Sequence, residues 1–309
     1  MVYYGASEPL ASTPLYRHLS QGLPQLGIAV LLFDRRGSGA SSGTNNVPYE
    51  TLADDGIAGA NALRAMPQVD AARVGYWGIS QGGWLATFAA VRDPRAAFAI
   101  AVSAPLTTPE VQMEFADANH LCALGYTRAD IDDMLEARKM WTGYLRGTNT
   151  RGQAVAAIGK IENKPWYQYM YMPTVAQLEG PDQSVWVTQM DDDPFTAVNK
   201  VKIPLLFILG SNDPWIPIKE TEAKLSGVLR HPSKDELHRD TRCQPFDDAA
   251  TCPGAHAGCI SRSGTNRDSR LRCVLYGSLK LAYARPRCFR AVAVNRLYQH
   301  IVILSAVEG

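Results

Sequence analysis

Long apolar runs are missing from this chain of 309 residues. Nothing approaches the roughly 18 uninterrupted apolar residues of a membrane-crossing helix; the longest stretches, such as Ile28-Ala29-Val30-Leu31-Leu32-Phe33, have strand length. Charge of one sign is missing too. With 31 Lys and Arg against 30 Asp and Glu, the net charge is +1, which excludes charge as a reason to expect nucleic acid, an acidic membrane surface or a polyanionic substrate. The amino end, Met1-Val2-Tyr3-Tyr4-Gly5, has no basic region, long apolar region or small-residue cleavage site, so no signal peptide is read and a cytoplasmic location is expected for the chain as written. Cysteine is scarce until late: Cys122 stands alone in the first three quarters, and Cys243, Cys252, Cys259, Cys273 and Cys288 fall in the last. Cys243, Cys252, His256 and Cys259 are ligand types that zinc accepts, but their spacing fits no compact paired-knuckle pattern, so no metal is assigned.

What is present is enough apolar surface, 46% of residues, for one large core or a core with a substantial insert. Short apolar, β-branched runs alternate with amphipathic stretches through the first hundred residues, the pattern of a parallel sheet with crossover helices. Strands are expected near 2–4, 28–34, 74–77 and 97–103, and helices near 14–25, 49–65 and 81–91. From about 106 to 198 the chain turns helical, acidic and aromatic. Helices are expected around 127–147, where Thr127 supplies a hydroxyl cap, and around 153–161. This stretch is expected to be an α-helical cap over the carboxyl edge of the sheet. Its run Trp166-Tyr167-Gln168-Tyr169-Met170-Tyr171 either packs cap onto core or lines an acyl or aromatic pocket, packing being the commoner use of such residues.

The sheet resumes at 203–210 and a helix follows at 219–229. After about residue 231 arginine outnumbers lysine, cysteines crowd in, and strand candidates recur only near 272–275 and 300–305. Four parts are therefore expected: a first core segment (1–105), the helical insert (106–198), a second core segment (199–230) and an atypical tail (231–309), frameshifted or poorly ordered.

Gly78-Ile79-Ser80-Gln81-Gly82 lies between the apolar run Val74-Gly75-Tyr76-Trp77 and helix-prone residues, and reads as a nucleophile elbow. A serine at the tip of a tight strand-to-helix turn takes a strained backbone, and small residues two before and two after it keep strand and helix from colliding. Its hydroxyl leaves the sheet, and the amide of the next residue faces the place where an oxyanion would form. A helix-capping serine is the alternative use of Ser80.

Together with Asp34-Arg35-Arg36-Gly37-Ser38-Gly39-Ala40-Ser41 after the second strand and Gly210-Ser211-Asn212-Asp213 after the resumed one, this elbow resembles the α/β-hydrolase superfamily over roughly residues 2–229. The likeness is to cap-bearing esterase and serine aminopeptidase-like members. It implies a mostly parallel, doubly wound α/β sheet with a helical cap, Ser80 as nucleophile, Asp213 as triad acid, and the amides of Gln81 and of the 5–7 loop, at Ala6, as oxyanion donors. The family has strands before that loop, so a truncated amino end is expected. Its triad histidine should follow Asp213 by some tens of residues.

Serine needs a base to take its proton, and imidazole suits that task when a carboxylate fixes its tautomer. His18 and His120 precede the acid and fit poorly, and His231 follows the helix too soon. His256, in Pro253-Gly254-Ala255-His256-Ala257-Gly258, is the first choice; His238, whose charged neighbours suggest a solvated helix, is the other. Asp191-Asp192-Asp193 reads as a solvated loop rather than a metal site, and Arg35 and Arg36 as shaping their turn. The expected activity is cleavage of a small-molecule ester, thioester or amide through an acyl-enzyme, with no cofactor and no nucleic-acid or membrane partner. The alternative is an inactive protein of the same fold, lacking a proper triad histidine.

Overall fold

The computed structural model describes residues 19–210 and 213–228, and the backbone of 237–238 and 289–294. The strand expected at 2–4 and the tail strands expected at 272–275 and 300–305 lie outside these residues.

Three strands run parallel: β1 (Tyr76–Ile79), β2 (Ala99–Val102) and β3 (Leu205–Gly210). Helix α1 (Tyr49–Arg64) precedes β1 and α2 (Gln81–Arg92) links β1 to β2. Successive side chains of a strand point to opposite faces, and here they fall into two apolar clusters. Tyr76, Ala99, Ala101, Leu205, Phe207 and Leu209 join the cluster built with α1 and α2, among Leu52, Ala53, Leu85 and Ala89. Trp77, Ile100, Val102, Leu206 and Ile208 join the other, with Val30, Phe98 and residues of the 19–32 segment. A strand covered on both faces must be apolar at every position, which is why these runs show no polar alternation.

The stretch expected as a strand at 28–34 divides its side chains in the same way, Ala29 and Leu31 to one cluster, Val30 and Leu32 to the other. Its backbone nevertheless forms only a single bridge, at Val30. Alternation needs only an extended chain, whereas a ladder needs N–H and C=O groups in register along its length.

Between β2 and β3 lie α3 (Pro109–Ala123), α4 (Arg128–Leu145), α5 (Arg151–Ile161) and the short α6 (Phe195–Val198). Helices α4 and α5 both open on capping boxes, Thr127 with Asp130 and Thr150 with Gln153. They share an apolar cluster containing Leu121, Ile131, Met134, Trp141, Ile158 and Trp166, all drawn from residues 118–190. Helix α3 was not expected. Thr108 caps it by accepting from the N–H of Val111 at 3.4 Å, but Glu110, Gln112, Asp117 and Asn119 are buried on it, which hides its inward face from a pattern based on hydrophobicity.

Helix α7 (Ile218–Val228) follows β3. The sheet then extends with two antiparallel strands, β4 (Leu237–His238) and β5 (Phe289–Val294), giving the order β1-β2-β3-β5-β4. Sequence reading placed no strand at either position, and His238, expected on a solvated helix, is in β4. No helix among the described residues is long and apolar enough to cross a membrane.

Candidate active site

The turn from β1 to α2 holds one of the strained residues of the described backbone. Ser80 has φ 52° and ψ −125°, a sparsely populated region that costs a side-chain-bearing residue about 1–3 kcal/mol. Bonds on both sides hold it there: its N–H donates to the Val102 carbonyl at 2.8 Å, and its carbonyl accepts from the Gly83 N–H at 2.8 Å. Gly78 permits the turn, since a Cβ there would stand 1.9 Å from the Gly82 carbonyl oxygen. Gly83 lets α2 settle on the sheet, where a Cβ would lie 2.5 Å from that of Ala104. The Ser80 side chain makes no capping bond to α2, and the residue is exposed.

Gln81 is the first residue of α2, so its N–H is among those a helix leaves without an intrahelical partner. Its side-chain amide donates to the Tyr49 hydroxyl at 3.0 Å. Tyr49 is buried on α1, and burial pushes its phenol up. The Gln81 side chain is thus held by α1.

Asp213 follows β3, its N–H donating to the Gly210 carbonyl at 3.1 Å. Its Oδ1 accepts from the Trp215 N–H at 2.9 Å. Burial pushes the carboxyl above its ordinary range, and the Trp215 N–H and the Ser103 hydroxyl on the neighbouring strand end offset part of that. The loop is gripped by α3: Asn119 Nδ2 donates to the Pro214 carbonyl at 3.3 Å and Gln112 Nε2 to the Trp215 carbonyl at 2.8 Å. Ser103 and the two α3 amides are residues that sequence reasoning missed. A serine just past a strand and amides inside an acidic helix carry no motif.

Ser80 follows β1, Ser103 follows β2 and Asp213 follows β3, with Ile79 paired to Val102 and Val102 to Ile208. The tracks of β1 and β3 are two strand spacings apart, about 9.5 Å. A separation of that order accommodates an imidazole between a serine hydroxyl and a carboxylate. His256 and Ala6 lie outside the described residues. His238 stands opposite Ala291, which stands opposite Ile208, so the backbone of β4 is four strand spacings from β1, about 19 Å. His120, on α3, stacks on Tyr169 at 5.6 Å and meets the edge of Trp215 at 6.0 Å.

The remaining charged motifs are engaged structurally. Arg36 makes a bidentate pair with Asp55 of α1 at 2.6 and 2.5 Å, while burial lowers the buried Arg35 to about 10. Asp34 accepts from the Ala40 N–H at 2.9 Å, closing the turn over Gly39. Asp191 pairs with Arg146, and Asp193 accepts from the Phe195 N–H. No group of three or more His, Cys, Asp or Glu suited to a metal occurs among the described residues. Of the aromatic run, Trp166, Tyr167 and Met170 are buried, while Tyr169 and Tyr171 are exposed beside Trp215 and His120.

No curated protein matches the chain. Among solved structures, it is similar to DcsB in complex with a substrate analogue (18% identity, TM-score 0.42, covering 69% of this chain and 72% of that one). It is also similar to the alpha/beta hydrolase GrgF from a Penicillium species (20%, TM-score 0.36, 62% and 64%) and to the N-formylmaleamic acid deformylase of Pseudomonas putida (18%, TM-score 0.30, 62% and 66%). The model of the alpha/beta hydrolase family matches residues 4–241. That match, the larger part of the sequence, establishes that the chain belongs to the alpha/beta hydrolase family.

Proposed function

We propose that the chain is a serine hydrolase that cleaves a small-molecule ester, or a thioester or amide, through an acyl-enzyme on Ser80. Family membership supports a hydrolase. The observation that carries the finer reading is the strained backbone of Ser80 at the β1–α2 turn, an exposed residue whose side chain makes no capping bond. In this reading Ser80 Oγ attacks the substrate carbonyl as a histidine, His256, takes its proton. The tetrahedral oxyanion is held by the N–H groups of Gln81 and Ala6, and the imidazolium then protonates the leaving alcohol. Water, deprotonated by the same imidazole, attacks the acyl group, and collapse of the second intermediate frees the acid and restores the serine. Asp213 holds the imidazole in the tautomer whose free nitrogen can accept. No step requires a cofactor. Esters are favoured over amides because their leaving groups demand less of the acid step.

A fluorophosphonate probe tests this directly. The intact protein should be labelled, and Ser80→Ala should abolish the label. Purified, folded wild-type protein that takes no label would sink the reading in favour of a non-catalytic member of the family. His256→Ala should abolish turnover of an aryl acetate while His238→Ala and His120→Ala retain it. Loss in His120→Ala alone would move the base onto α3.

A further inference from the structure

Helix α3 buries polar side chains on two opposite faces. Residues two apart on an α-helix differ by about 200°, so Glu110 and Asp117 share one face while Gln112 and Asn119 share the other. The first face is accounted for by Arg138 of α4, which pairs with Asp117 and lies 3.5 Å from Glu110. The second meets the Asp213 loop. Gln112 and Asn119 are 9% and 1% exposed, and a buried amide costs free energy unless it is hydrogen-bonded, a cost that an apolar side chain in the same space would avoid.

Both amides spend their donors on consecutive carbonyls: Asn119 Nδ2 on Pro214 at 3.3 Å and Gln112 Nε2 on Trp215 at 2.8 Å. The Pro214 carbonyl belongs to the same peptide unit as the Trp215 N–H, and that N–H donates to Asp213 Oδ1 at 2.9 Å. No peptide bond among the described residues is cis, so the C=O and N–H of this unit lie in one plane and point in opposite directions. Holding the carbonyl from α3 therefore sets the direction of the N–H on the other side. The Gln112 bond to the next carbonyl limits rotation of the loop about the first contact. We infer that Asn119, with Gln112 beside it, is a positioning residue for the acid, acting through the 214–215 peptide to set the orientation of the Asp213 carboxylate.

This inference rests on the reading of Ser80 and Asp213 as nucleophile and acid, and it adds two residues that neither touch substrate nor belong to the triad. By these contacts the two amides work at the sheet edge although they stand in the insert. An aspartate can close a turn onto the N–H two residues later unaided, and the amides would then serve only to satisfy two carbonyls. The two roles differ in their kinetics.

Asn119→Leu and Gln112→Met each remove the donor and keep a side chain of similar size. Each should lower kcat for an aryl acetate by about 10- to 100-fold with KM within about twofold, because a carboxylate that turns away leaves the imidazole misoriented. In an Asp213→Ala background neither should lower kcat further by more than about twofold, since the group they act through is gone. Thr108→Ala, which removes the cap of α3 and leaves both amides in place, should lower stability while the folded protein keeps wild-type kcat. Wild-type kcat in the folded variants, or losses that multiply with that of Asp213→Ala, would overturn the inference and leave the amides a packing role. Should Asn119→Leu fail to fold, Gln112→Met decides by the same comparison. If wild-type protein neither turns over esters nor takes a fluorophosphonate, the hydrolase reading itself fails and the role assigned to Asn119 falls with it.

Discussion

The carboxyl edge of the sheet and the helical insert are built in opposite ways. Along the sheet edge the chain tolerates strain: both non-glycine residues of positive φ among those described stand there, and the half-buried Asp213 is raised by burial. In the insert, helix starts are satisfied by capping boxes and positive φ falls on Gly125 and Gly147, after α3 and α4. Its unusual feature is buried charge. Arg138 of α4 is fully buried, pairing with Asp117 of α3, lying 3.5 Å from Glu110 and standing 5.8 Å over the Trp141 ring. Backbone strain tends to cluster at functional sites, whereas charge paired deep between two helices bears on how those helices meet.

If that contrast holds, substitutions at the edge should remove activity and spare stability, and those in the insert should do the reverse. Ser80→Ala should have the largest effect, lowering ester turnover by about 10³- to 10⁴-fold or more, with an unfolding midpoint close to wild type. A variant that unfolds at much lower urea would instead make Ser80 a structural residue. Arg138→Met should act in the other direction. It leaves Asp117 and Glu110 buried without their cation, which should cost about 3–5 kcal/mol in urea unfolding. Ser80 in protein that remains folded should still take a fluorophosphonate. Thr150→Ala removes the cap of α5 and should cost about 1 kcal/mol, read as faster hydrogen exchange in 151–161 with no change in turnover.

The smallest effect sharpens the comparison through pH. Burial raises the Glu110, Glu114 and Asp117 carboxyls of the insert, opposed in part by Arg138. A raised folded pKa contributes stability that is full below the unfolded carboxyl value of about 4 and is lost as pH rises through the folded value. Asp93, after α2, is opposite. Burial alone would raise it, but bonds from the Tyr76 hydroxyl, Arg64 and the Arg95 N–H hold it below its ordinary range, so its contribution is present above about pH 4 and lost as pH falls through the lowered value. Acidification from neutral toward pH 4 should therefore raise exchange protection of α3 and α4 relative to β1 and α2. Equal changes in both regions would remove the electrostatic half of the contrast.

Much of this was legible in the chain. The elbow followed from Gly78, Ser80 and Gly82 between an apolar run and a helical one, and the same glycine proves to be the position where a Cβ would strike the Gly82 carbonyl. Helices α4 and α5 were visible because their caps and apolar positions agree. Helix α3 was not, because polar residues that face inward to bond the Asp213 loop and Arg138 look like a solvated face. The single bridge at Val30, and a strand at His238 where charged neighbours suggested a helix, show the same limit. Composition reports what a segment could cover, and pairing depends on what lies beside it.

Local chemistry alone thus determined that strand meets helix at Ser80 in a turn only small neighbours permit, and that apolar strands alternate with helices around it. Tertiary structure decided what those local features meet. The parallel pairing of β2 with β3 bridges the whole insert and brings Ser103 beside the strand that leads to Asp213, while α3 returns from that insert to grip the Asp213 loop. Those contacts are made between segments some hundred residues apart, and register between distant segments is set by the packing of the whole core rather than by any pattern a short window can hold.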